Sequence, residues 1–172
     1  HFFKTRMSTN FKAGMWAFWV VNVISAFAIG SYQVTQFTDY AALEKNIDAP
    51  DITSDTINLV VTQGNHKSSF VGIGSLKIAD NKLISRHVHF NIEKGETDNF
   101  EMTLQKYSRG GSEKEALELI ETIHYGVTVH ENTITLPRYF EIFEGEKWRN
   151  QYVVFNLKVP EGKSIHLDSD IW

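Results

Sequence analysis

Cysteine is absent from the 172-residue chain, which excludes disulfides, zinc ribbons and thiol catalysis together. It says little about compartment, because many envelope proteins have no disulfides. Basic residues form no stripe, and the formal net charge is −4, so nucleic acid is not an expected partner. Catalytic signatures are missing too. There is no H-E-x-x-H and no Walker A, and 'GIGS' (72–75) lacks the spacing of a nucleophile elbow or a dinucleotide loop. No enzyme activity, cofactor or metal is expected from these patterns.

What is present is one long apolar run. From Gly14 to Gly30 the only polar side chains are Asn22 and Ser25. Continued to Tyr32, the segment is about 19 residues, or roughly 28 Å of helix, close to the hydrocarbon thickness of a bilayer. It has no charged face, and Trp16, Trp19 and Tyr32 sit near its ends as interfacial anchors do. A buried soluble helix fits this composition poorly. A cleaved signal peptide competes more seriously, with Lys4, Arg6 and Lys12 as basic region and Ala26-Phe27-Ala28 as cleavage site. We read residues 13–32 as a membrane span.

Lys4, Arg6 and Lys12 precede the span, and the first basic residue after it is Lys45. The positive-inside rule places residues 1–12 in the cytoplasm and everything after Tyr32 outside, in the periplasm of a double-membrane bacterium. Within the span Phe18, Asn22, Ala26 and Gly30 recur every four residues, with Ser25 beside them. Small residues and an amide suit close approach of another helix, from a second copy or from another membrane protein.

Residues 33–55 read as a polar linker containing Pro50, with a short helix in 'TDYAALEKNIDAP'. Beyond Thr56 the chain alternates. 'TINLVVT' (56–62), 'SRHVHFNI' (85–92), 'NFEMTLQKYS' (99–108), 'YGVTVH' (125–130), 'NTITL' (132–136) and 'NQYVVFNLKV' (150–159) predict strands. In the last, Val153, Phe155, Leu157 and Val159 share one face. 'HENT' and 'VPEGKS' predict turns. Ser112 and Glu115 make a capping box before Ala116, Leu119, Ile120 and Ile123, which predicts one helix over 112–124. The fold class expected is mainly β (α+β): an N-terminal transmembrane helix, then an antiparallel β-sandwich or β-solenoid-like domain over 56–172 with one crossover helix. The chain opens on His1 and stops on Trp172 after a strand-like run, so a longer parent protein is expected.

Three stretches carry a resemblance: 'SRG' before an Ala-containing helix, 'KWRNQ' opening a strand, and 'VPEGKSIHLD' after it. With the preceding span, they resemble the C-terminal extracytoplasmic region of PspC-domain (phage shock protein C) proteins of Bacteroidetes type. The resemblance covers about residues 11–172; the small PspC domain itself is absent. It implies an inner-membrane protein of envelope-stress type with a β-rich periplasmic head, and it supplies no catalytic residues. In 'KWRNQY' we expect Trp148 and Tyr152 to bury and Arg149 to pair with a carboxylate.

His87 and His89 alternate onto one strand face, a spacing used by metal sites, but no third ligand accompanies them; an exposed polar face is the simpler account. His124, Tyr125 and His130 fit capping and surface roles, and Glu144 and Glu146 a solvated loop. The function expected is a membrane-anchored interaction or sensor head. A carbohydrate-binding, adhesin-like head is the alternative, and aromatic residues on an exposed sheet face would favour it. A hydrolase ranks third and would need convergent acids in a pocket.

Overall fold

The computed structural model describes residues 8–48, 52, 54–63 and 72–167. His1, Lys4, Arg6, Pro50 and the end of 'SIHLD' therefore lie outside the described residues. Helix α1 (Thr9–Thr35) is longer than the span read from the sequence, at 27 residues, and Ser8 caps it by accepting from the Phe11 N–H. At 1.5 Å per residue it is about 40 Å long, enough to cross the hydrocarbon and both headgroup zones. None of its residues is buried.

Nine residues of the expected linker form a different element. 'DYAALEKNI' is strand β1 (Asp39–Ile47), not a short helix. Ala, Leu, Glu and Lys are good helix formers, but the segment pairs antiparallel with β7 over its whole length, Asp39 opposite Gly110 through Ile47 opposite Met102. Tertiary pairing outweighs local propensity here.

The remaining elements are β2 (Thr56–Thr62), β3 (Gly72–Ile73), β4 (Leu76–Ala79), β5 (Lys82–Ser85), β6 (Val88–Lys94), β7 (Glu101–Gly110), α2 (Glu113–Glu121), β8 (Thr128–His130), β9 (Thr133–Pro137), β10 (Phe140–Phe143), β11 (Tyr152–Val159) and β12 (Ser164–Leu167). They build three four-stranded sheets, ordered β1-β7-β11-β6, β12-β2-β9-β8 and β10-β5-β4-β3. The domain is mainly β, as its alternation predicts. It is not purely antiparallel: β11 with β6, β12 with β2 and β2 with β9 are parallel. Parallel neighbours need long connections, and the chain between β6 and β11 contains β7, α2 and three more strands.

Inward residues of all three sheets share one core. Met102, Leu104, Val153, Phe155 and Leu157 come from the first, Ile57, Leu59, Ile134 and Leu136 from the second, and Phe140 and Ile142 from the third. Helix α2 joins the first sheet to the second and packs on β7 and β1 through Ala116, Ile120 and Ala41. Gly110 permits that packing: a Cβ there would stand 2.7 Å from the Ala116 backbone nitrogen. The capping box is present in modified form. Ser112 Oγ accepts from the Glu115 N–H at 3.2 Å, while the Glu115 carboxylate accepts from Gly111 N–H at 2.9 Å rather than from Ser112.

Candidate interaction surfaces

The sequence-derived stripe lies along α1, where Phe18, Asn22, Ser25, Ala26 and Gly30 are all exposed. Asn22 satisfies part of its amide within the helix, its Nδ2 donating to Phe18 O at 2.8 Å. A Cβ on Gly30 would meet nothing within 4 Å. Trp16 and Trp19 contact each other edge to face at 5.6 Å. Thr9–Thr35 is long and apolar enough to cross a membrane.

The helix runs almost directly into the head. Arg109 Nη1 donates to Phe37 O at 3.3 Å, and the Arg149 guanidinium lies 5.2 Å above the Phe37 ring. Gly111 faces Thr35 and Gln36 of the last helical turn. So Phe37, a residue the linker reading left without a role, is held between two arginines. Arg149 thus meets an aromatic ring and Trp148 O, to which its Nη1 donates at 3.0 Å, rather than forming the expected carboxylate ion pair.

The outer face of the first sheet carries a tyrosine ladder. Tyr107 stacks on Tyr152 at 4.4 Å and on Tyr40 at 6.2 Å, with interplanar angles of 6° and 13°. Tyr152 is therefore half-buried in a surface stack, not in the core; Trp148 does pack against the core. Burial in the stack pushes the Tyr107 and Tyr152 hydroxyls up from their ordinary pKa. Strand alternation places each tyrosine outward, but only the pairing of β1, β7 and β11 brings them together.

The histidines separate. His87 Nε2 lies 2.7 Å from Ser75 Oγ, whereas His89 stands nearly perpendicular to the Tyr152 ring at 6.1 Å. Among the described residues no group of three or more His, Cys, Asp or Glu is placed to hold a metal. Glu144 and Glu146 are exposed beside Gly145, a turn at positive φ. A cleft between α2 and β10 is lined by Lys106, Glu121, Ile123, Tyr125, Pro137 and Glu141, and Glu141 pairs with Lys82 at 2.8 Å.

The 'KWRNQ' segment gains a physical meaning. Gln151 is fully buried; its Oε1 accepts from the Arg149 N–H at 2.6 Å and its Nε2 donates to Lys147 O at 2.9 Å. The side chain closes a turn containing Asn150 at φ 54°, and Arg149 O then accepts from the Arg109 N–H of β7. The sequence model of the ToastRack domain found in some PspC proteins matches residues 77–172, which include this turn and the tyrosines of β7 and β11. The chain belongs to the ToastRack family of PspC proteins. Helix α1 and strands β1 to β3 precede the matched ToastRack region, so Tyr40 and Phe37 contact it from outside. No curated protein and no solved structure matches the chain.

Proposed function

We propose that this chain is a membrane-anchored interaction and sensing subunit of an envelope-stress system. Its N-terminus is cytoplasmic, α1 crosses the inner membrane, and the ToastRack head stands in the periplasm. The family membership supports the envelope-stress class. The observation that carries the rest is the junction: a helix with a long apolar run ends two residues before Phe37, which the head holds through Arg109 and Arg149. A flexible tether would only localise the head. A gripped one couples the head's position to the helix, which suits transmission of a binding event.

The partner contact assigned to the helix is the stripe Phe18, Asn22, Ser25, Ala26 and Gly30, facing a second copy or another membrane protein. The test is co-purification in mild detergent, with crosslinking between differently tagged copies, for the wild type and A26L/G30L. Gly30 has open space around it, so leucine there strains nothing within the chain. The proposal expects weakened association with an unchanged head. Equal association, or none in the wild type, overturns it. Recovery of a chain cleaved after Ala28 would instead identify the segment as a signal peptide.

The tyrosine ladder favours carbohydrate binding at first sight, since Tyr40 is 61% exposed. Yet Tyr107 is covered on both faces, and Tyr40 and Tyr152 each lose one face to it, so the stack offers little continuous ring surface to a sugar. The ladder serves better as a rigid brace joining β1, and through it the span, to β7 and β11. A hydrolase is supported less: in the cleft that contains Glu121 and Glu141, the latter is already engaged by Lys82.

A further inference from the structure

Lys106 interrupts the inward face of β7. Met102, Leu104 and Ser108 point to the interior and are buried, and register puts Lys106 on that same face, opposite Val153 of β11 and Leu43 of β1. Lysine at such a position ordinarily has a counter-ion. Here Nζ donates to Ile123 O at 2.7 Å, just beyond the C-terminal end of α2. That contact uses one of three N–H donors. Among the described residues no carboxylate forms an ion pair with Lys106. The charge felt most is Lys45, on the same face and diagonal in register. Burial first, and Lys45 second, push the Lys106 pKa down. Half-buried, Lys106 thus keeps two donors that no carboxylate of an ion pair takes up.

The amine lines the cleft of about 610 Å³ described above. Tyr125 and Pro137, both half-buried, give the cleft apolar surface, and the Tyr125 hydroxyl is fixed by donating to Pro137 O at 3.0 Å. We propose that this cleft binds a small carboxylate, free or at the end of a peptide, with the charged oxygen on Lys106 Nζ and the remainder against Tyr125 and Pro137. A phosphate fits less well. The helix end at the site is the C-terminal one, whose partial charge is negative, and Glu121 and Glu141 line the same cleft. A single negative charge meets less of that repulsion than a dianion does. The proposal goes beyond the anchoring role and does not depend on the span.

The test uses the full chain in detergent with ¹³C-labelled lysine, following the Lys106 side-chain signal during titration. The probes are acetate, alanylalanine, alanylalanine amide and inorganic phosphate. A saturable shift with acetate and the dipeptide acid assigns a free-carboxylate site; a shift with the dipeptide acid alone assigns a peptide end. Lys106→Met, which keeps the stem and removes the charge and the signal, is followed by titration calorimetry beside the wild type and is expected to weaken binding about tenfold or more, as for a lost charged hydrogen bond; equal affinity overturns the proposal. The wild-type titration stands even if that variant folds poorly. No saturable shift with either carboxylate, an amide as effective as the acid, or tighter binding of phosphate overturns the proposal.

Discussion

Gln151 and Glu115 show how single side chains set the geometry near the junction. Replacing Gln151 by Leu removes the acceptor of the Arg149 N–H and the donor to Lys147 O inside a buried turn. The expected cost is about 1–3 kcal/mol in urea unfolding; an unchanged midpoint would show that the turn is held by other means. Ser112→Ala should cost about 1 kcal/mol through the lost cap, read in the same way. Glu115 makes acid stability specific. Its pKa is held below the ordinary 4.5, first by the Gly111 N–H, then by Lys147, with Arg149 adding attraction. A carboxyl lowered on folding contributes stability above its unfolded value and loses it as pH falls through the folded one. Below about pH 4.5 the wild type should therefore lose stability in a component that Glu115→Gln lacks. Parallel pH profiles for the two proteins would contradict this. The capping box was legible because it is local, three residues apart. The role of Gln151 was not, since nothing in hydrophobic periodicity marks an amide that folds back on its own turn.

At the scale of elements, long amphipathic or alternating segments were legible and paired partners were not. α2, β2, β7, β9 and β11 follow from the pattern of buried residues, and the inward set of Val153, Phe155 and Leu157 is the one that alternation selects. β1 was hidden because it is an edge strand with only Ala41 buried, so it carries little alternation to detect. The parallel ladders were hidden because strand partners here are far apart in sequence. The tyrosine ladder and the Phe37 clamp depend on both. The approach of β7 to α2 gives an element-level prediction. Gly110→Ala should destabilise the head by about 1–3 kcal/mol, since backbone and not a flexible side chain must yield. Hydrogen exchange should report the loss first in α2 and β1. Unaltered exchange in those elements would mean that the approach is looser than 2.7 Å implies.

For the whole molecule, an apolar helix leads through a clamped junction into the ToastRack head, and the proposed role is that of one body reporting from one side of a membrane to the other. Composition alone made the helix legible, because about 19 apolar residues have few other uses. The sidedness proposed for it rests on three basic residues before the span and none until Lys45 after it. The chain's lack of cysteine makes this directly measurable. Single cysteines are introduced at Ser8 and at Ser54, and intact spheroplasts are exposed to a membrane-impermeant thiol reagent. The account predicts labelling at Ser54 and protection at Ser8 until the membrane is permeabilised. Labelling at Ser8 with protection at Ser54 would contradict it.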